Sequence, residues 1–416
     1  MTVAIATRRN GAAIVATLCI GYVASQFYRS ANAVIAPDLM AELSISAEAM
    51  GAVTGSFFLA FALVQVPCGV LLDRFGPRVV MPALLLSAVA GSVVFAAAEG
   101  VPGLAAGRVL MGIGCATGLM GSLVVFARWF PPDRFATLSA LLFSVGGAGN
   151  LLATTPLAAA SEAFGWRGAF LGMAVVTLGM AALLYAIVRD APPGHPALGR
   201  DPESPAQILA GLRQVVGMRD IWLIITMQLV AYPTVMTILG LWAGPYLADV
   251  HGLDAVARGN VLFAMTVATL VATMVYGPLD RVFDTRKRIV QLGALATCGM
   301  LLLLALLPAL SLAAATALLI LMSVFGGYHM MLHAHARAVL PEHLVGRGLT
   351  LQNMAAIGSV FLLQSASGYI VGEVARNGGS AESAYRLVFG FLAVLLIAAL
   401  AAYSRIADAR PSAVQG

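Results

Sequence analysis

Apolar runs of about twenty residues recur along almost the whole chain, separated by short polar breaks. A run of that length is what an α-helix needs to cross the hydrocarbon core of a bilayer, roughly 30 Å thick. Inside that core every backbone N–H and C=O must be satisfied by the protein, so only helices or closed barrels can cross it. The runs are continuously apolar rather than alternating, which selects helices. Of 416 residues, 60% are hydrophobic and only 10% are charged, a balance that a water-soluble fold of this size could not keep dry.

Twelve spans are expected, at 11–35, 48–72, 79–99, 102–127, 135–161, 168–188, 221–248, 257–278, 289–309, 312–336, 347–372 and 386–404. The run after Arg8 and Arg9 is too long for a secretory leader and counts as the first span. The one long polar stretch, rich in proline (Pro192, Pro193, Pro196, Pro202, Pro205), divides the chain into a bundle at 1–188, a linker at 189–220 and a bundle at 221–416. With these spans, 18 of the 24 Lys and Arg fall on the side of the termini and the linker. Four (Arg167, Arg258, Arg376, Arg386) fall on the other side, and Arg29 and Arg108 lie within spans. The positive-inside rule then puts both termini in the cytoplasm. The net charge of +5 is scattered over short loops, which gives no nucleic-acid surface. Cys19, Cys68, Cys115 and Cys298 lie inside apolar runs without metal or disulfide spacing and read as small core residues.

The two halves repeat. Asp73-Arg74 has a counterpart in Asp280-Arg281. Ala127-Arg128, with the Pro-acid-base run Pro132-Asp133-Arg134, matches Ala336-Arg337 with Pro341-Glu342-His343. Trp166-Arg167 matches Tyr385-Arg386. The offsets are 207, 209 and 219, in register. The expected fold is therefore an all-α membrane protein of 12 transmembrane helices in two pseudo-symmetric six-helix bundles, multi-pass in the cytoplasmic membrane.

Between the second and third spans the chain reads Gly69-Val70-Leu71-Leu72-Asp73-Arg74-Phe75-Gly76-Pro77-Arg78. This resembles the G-x-L-x-D-R-x-G-x-R signature of major facilitator superfamily transporters. The resemblance implies alternating access: one bundle rocks against the other around a midplane site, and the loop signatures act as latches. Gly69, Asp73, Arg74, Gly76, Arg78, Arg128, Asp280, Arg281 and Arg337 are the latch candidates. Asp73 is expected near the start of the eleventh span at Gly346-Arg347-Gly348, where a helix dipole and a cation favour a carboxylate.

In the superfamily the first, fourth, seventh and tenth spans line the cavity. Polar residues there are costly and so are site candidates. Ser25, Tyr28, Arg29 and Asn32 share one face of the first span. Arg29 either holds an anion or snorkels to the outer surface. Tyr28-Arg29-Ser30-Ala31-Asn32, with the polar 41–50 connection and Gln65-Val66-Pro67-Cys68-Gly69, looks like the anion:cation symporter branch, which includes sugar-acid carriers. That branch pairs an Asp with the Arg and carries an acid in a G-x-x-E stretch of the fourth span. Here Tyr28 and Cys115 stand at those positions. Anion binding carries over from the resemblance; proton coupling through those acids does not. The fourth span also holds Arg108-x-x-x-Gly112-x-Gly114, like a superfamily signature. Its Arg108 is a structural partner or a substrate residue, and its glycines allow close helix approach.

The seventh span offers Gln228 and Tyr232, with bends expected at Pro233, Gly244 and Pro245. Its Trp242 and Tyr246 either gate the mouth or anchor at the interface. In the tenth span His329 and His333 are four apart and share a face, and imidazole titrates near neutral pH, so they are the proton-coupling candidates. Substrate-binding candidates are Arg29, Tyr28, Asn32, Arg108, Gln228, Tyr232 and His329. The fifth span keeps only Pro156 of the drug-antiporter signature, with Thr155, Ala159 and Ala160 where glycines belong, which disfavours efflux of amphiphiles. Met227 and Met236 lack the Met-x-x-x-Met spacing of copper importers. No nucleotide-binding loop and no catalytic constellation is present, and a sensor would add a soluble signalling domain. The expected partner is a small organic anion, a carboxylate metabolite, carried by a monomer in the lipid bilayer. No cofactor, no metal and no enzymatic activity are expected.

Overall fold

The computed structural model describes residues 2–192, 213–341 and 344–410. Most of the expected linker, 193–212, and the repeat residues Glu342 and His343 lie outside the described residues. Nearly every described residue is helical and none is in a β-strand. Ten helices among the described residues are long and apolar enough to cross a membrane, or eleven with the bent pair Ala47–Leu63 and Gln65–Phe75. The chain is a multi-pass membrane protein.

The first half runs α1 (Thr2–Ser30), α2 (Asn32–Leu43), α3 (Ala47–Leu63), α4 (Gln65–Phe75), α5 (Pro77–Ala96), α6 (Val101–Cys115), α7 (Gly118–Trp129), α8 (Pro132–Leu152) and α9 (Thr155–Ile187). The second half runs α10 (Arg219–Thr237), α11 (Ala243–His251), α12 (Ala255–Phe283), α13 (Lys287–Leu306), α14 (Leu312–Gly326), α15 (His329–Val339), α16 (Val345–Arg376) and α17 (Ala381–Tyr403). Three of the later helices start on N-caps: Asp254, Ser311 and Ser380 accept from the amides of Ala257, Ala314 and Ser383.

Two of the breaks fall where the sequence removes a donor. The expected span 48–72 is two helices bent by 45° at Val64. Pro67 has no N–H for the Leu63 carbonyl, which accounts for the break. The irregular part of the seventh span is a π-helical turn at Ile238–Trp242, between the expected bends at Pro233 and Pro245. Pro245 denies a donor to the Leu241 carbonyl, and the widened turn absorbs the loss. The loop expected near 162–167 contracts to one left-handed residue, Gly165 (φ 70°), inside α9. The expected span 312–336 breaks at Gly327-Tyr328 into α14 and α15.

Residues 1–32 and 56–202 form one compact unit, and residues 33–55 and 203–416 form the other. In the first unit, α5 packs along α6 and α9, and α1 along α8. The two glycines of the Arg108 signature serve different neighbours: a Cβ on Gly112 would strike the Phe57 carbonyl, and one on Gly114 the Ala88 backbone. In the second unit, residues 33–55 are fastened to helices of the later chain. Asp38 pairs with Arg258 at 3.3 Å, and Glu48 with Arg376 at 3.1 Å. Gly51 lies against the Gln364 carbonyl.

Each half repeats the same two fastenings. Arg167 donates to the Ala98 carbonyl just past α5, at 3.1 Å. Arg386 donates to the Ala305 carbonyl at the end of α13, at 2.7 Å. After α9, Asp190 accepts from the Arg78 amide at the start of α5, at 2.8 Å. After α17, Asp408 accepts from the Arg286 and Lys287 amides at the start of α13, at 3.1 and 3.0 Å, and from the Thr285 hydroxyl. Both carboxylates thus cap the helix of the third span of their half, where the dipole favours negative charge.

Burial pushes the Asp408 carboxyl up, but the bonds from Thr285, Lys287 and Arg286 outweigh it and hold it below its usual value. A depressed carboxylate stabilises the fold above its unfolded value and loses that contribution as pH falls through its folded value. Asp408→Ala should therefore cost about 1 kcal/mol of stability at neutral pH, seen as a lower thermal midpoint in detergent. The gap from wild type should close in acid, below the ordinary carboxylate range. A gap that stays constant with pH would show that Asp408 does not cap α13.

Candidate functional site

In the first unit the break between α1 and α2 comes first. Helix α1 stops at Ser30, so carbonyls of its last turn lose their intrahelical donors. One of them, the Tyr28 carbonyl, accepts from Nη1 of Arg108 at 2.6 Å. Arg108 is fully buried. A guanidinium in such surroundings loses several kcal/mol of hydration, so its place must be compensated. Part of the compensation is aromatic: the Arg108 guanidinium lies 4.6 Å from the centroid of Phe57. Arg29 lies in the same way over Phe61, at 5.0 Å. Phe57 and Phe61 are one turn apart on α3 and stack on each other with centroids 6.2 Å apart. Each cation over a ring gains about 0.5–2 kcal/mol. The stacked pair thus sets two guanidinium groups side by side in one unit.

Tyr28 is buried and its hydroxyl pairs with Thr177 of α9 at 3.0 Å, so its phenol is engaged within the bundle. Asn32 is fully buried at the start of α2. Ser25 donates to the Cys115 carbonyl at 3.2 Å, tying α1 to the end of α6. The structure brings Tyr28, Arg29 and Arg108 together. No acidic side chain is among the buried residues of this unit, within the described residues.

The remaining substrate candidates lie in the second unit. The Tyr232 ring packs 5.4 Å from the His329 ring, and His329 holds the Gly326 carbonyl through Nδ1 at 3.0 Å. Gln228 is buried one turn before Tyr232, and His333 follows His329 by one turn. Trp242 and Tyr246 are both buried: the Trp242 indole donates to Ser367 at 2.7 Å, and Tyr246 packs on Tyr385 and Phe389. Burial rules out interfacial anchoring for either.

The latch candidates divide. Gly76 takes φ 76° between α4 and α5, with Asp190 against it. Arg78 stacks on Tyr185, with its guanidinium 5.2 Å from the ring. Asp73, Arg74, Arg281 and Arg337 are exposed, and Arg128 is half-buried. Gly69 has open space around it. Asp280 is buried and pairs with Arg286 at 3.1 Å.

Sequence reasoning missed Phe57, Phe61 and Thr177, and in the second unit the buried amides Gln352 and Gln364. The available signal was the Phe57-Phe58-Phe61 spacing and the presence of glutamines within the eleventh span.

A sequence profile of the Major Facilitator Superfamily matches residues 18–363. The protein named "Probable sulfoacetate transporter SauU" of Cupriavidus necator is 24% identical over 66% of this chain and 64% of its own length. The hexuronate transporter of Bacillus subtilis is 27% identical over 39% of each chain. The chain thus spans less than two thirds of the length of these relatives. Among solved structures, an inward-facing, occupied bacterial homologue of the human lysosomal transporter Spinster superposes with a TM-score of 0.76 at 18% identity, over 94% of this chain and 95% of that one. A D-xylose–proton symporter does so with a TM-score of 0.71 at 16% identity, over 95% and 98%.

Proposed function

Because this chain belongs to the Major Facilitator Superfamily, we propose that it carries a small organic anion across the cytoplasmic membrane by alternating access. The carrying observation is the pair of guanidinium groups, Arg29 and Arg108, held over the stacked rings of Phe57 and Phe61. A guanidinium fork suits a carboxylate or sulfonate, which accepts two parallel hydrogen bonds. Relatives named for sulfoacetate and hexuronate support the same ligand chemistry. Twelve crossings with both termini inside fit the count of candidate spans, because the apolar stretch 137–187 is 51 residues long, more than twice what one crossing takes.

Coupling is assigned to imidazole. The carboxylates of the symporter branch are replaced by Tyr28 and Cys115, and His329 and His333 are the titratable groups within the spans of the second unit that share a helix face. His329 carries the proton in this reading because it lies further from the end of its span. Asp73, exposed at the end of α4, serves as the cytoplasmic latch.

Three outcomes test these assignments. Arg29→Ala should cut uptake and binding by about tenfold or more with membrane expression intact, and Arg29→Lys should restore little of it, since lysine lacks the fork. Normal transport by the alanine variant would remove Arg29 from the site. His329→Gln should abolish accumulation driven by a pH gradient yet spare counterflow of preloaded substrate, with His333→Gln weaker; gradient-driven uptake surviving in the double variant would make both histidines structural. Asp73→Asn should shift cysteine labelling between the two membrane faces, and unchanged labelling would reject the latch.

A further inference from the structure

The turn between α12 and α13 carries more positive charge than its fold requires. In the first unit the corresponding turn leads into Arg78-Val79-Val80; here it leads into Arg286-Lys287-Arg288. Arg78 and Arg286 are both absorbed by the fold. Arg78 stacks on Tyr185, and Arg286 pairs with Asp280 at 3.1 Å and donates to the Ala409 carbonyl at 3.0 Å. Lys287 and Arg288 lend the fold their backbone amides, which donate to Asp408 and to the Thr285 hydroxyl. Among the described residues, the cationic heads of Lys287, Arg288 and Arg410 enter no hydrogen bond or ion pair of the fold.

Those three cations share one cavity. A pocket of about 360 Å³ opens at the turn, lined by Lys287, Arg288 and Arg410 together with Gln291 and Phe283. Two carboxylates, Asp284 and Asp408, border it as well. Asp408 is already committed, because it accepts from the Thr285 hydroxyl and from the Arg286 and Lys287 amides. Three cations against two carboxylates leave the pocket positive, and the amide of Gln291, one turn after Lys287, adds a neutral donor.

The pocket also has an apolar margin. Phe283 and its neighbour Val282 are exposed. On α13, Leu292 and Leu295 lie one and two turns beyond Arg288 on the same helix face, and both are exposed. Helix α13 is one of the candidate membrane spans, so that face meets hydrocarbon. A soluble anion would use the cations and leave the leucines idle. A phosphate head carrying acyl chains matches both, since a guanidinium fork grips two phosphate oxygens and an ammonium a third. Loop charge assigns this face of the membrane to the cytoplasm, where the leaflet carries anionic lipid.

We propose that this pocket binds the headgroup of an anionic phospholipid, with the phosphate among Lys287, Arg288 and Arg410 and the acyl chains along Leu292 and Leu295. The lipid bridges the start of α13 to the closing segment at Arg410 and so reinforces the clasp made by Asp408. The site is independent of the organic-anion reading. The test is native mass spectrometry of the purified full-length protein, released from micelles holding equal amounts of phosphatidylglycerol and phosphatidylcholine with identical acyl chains. Wild type should retain phosphatidylglycerol over phosphatidylcholine by roughly tenfold. Lys287→Gln with Arg288→Gln should bring that ratio below about twofold, and Arg410→Gln alone should lower it about threefold. Arg213→Gln with Arg219→Gln removes the same charge from the same membrane face, outside the pocket, and should leave the ratio unchanged. Glycerol phosphate in large excess, a headgroup without tails, should leave the retained lipid in place. Elution profile confirms folding of each variant. A wild-type ratio below about twofold, or one that falls equally in the Arg213/Arg219 variant, shows diffuse surface charge instead and overturns the site. A ratio that survives in both pocket variants overturns it too, and displacement by glycerol phosphate replaces the lipid with a soluble phosphate ligand.

Discussion

A helix that breaks within a bilayer leaves carbonyls and amides with no water to meet them, and each such end has to be closed from inside the protein. At Ala31 the closing group is the Arg108 guanidinium on the Tyr28 carbonyl. Helix ends between spans are closed in the same way, by Arg167 and Arg386 at the ends of α5 and α13 and by Asp190 and Asp408 at their starts. The π-helical turn before Pro245 meets the same requirement by rearranging backbone alone. Five charged residues of a chain only 10% charged thus serve helix ends, where partial charges await them.

Arg108 does more than close an end. Its second contact, with Phe57, belongs to an aromatic pair that also carries Arg29. The first unit therefore concentrates two guanidinium groups on one aromatic pair.

Much of the fold is legible in the sequence because apolar length and loop charge act locally. The span pattern, the Gly69–Arg78 signature and the paired Trp166-Arg167 and Tyr385-Arg386 dipeptides each depend on residues close together in the chain. What stays hidden depends on distance. Asp190 and Asp408 sit in polar tails where an aspartate is unremarkable until its partner amide, more than a hundred residues away, is known. Phe57 and Phe61 look like core aromatics until the arginines are placed over them. Residues 33–55, inside the stretch 1–188 read from sequence as the first bundle, group with the second unit, where Asp38, Glu48 and Gly51 meet distant partners. Trp242 and Tyr246 fit a gate, a stacking surface or an interfacial anchor equally in the sequence; their burial argues only against the anchor.

The twin carboxylates have a consequence for ancestry. In each half the segment leaving the last helix returns to fasten the start of the third span, so a half-length chain already ties its own closing knot. A primordial gene encoding one such half would yield a product with its final segment secured. Joining two copies head to tail then starts the tether from a segment that Asp190 has already clasped to its own half.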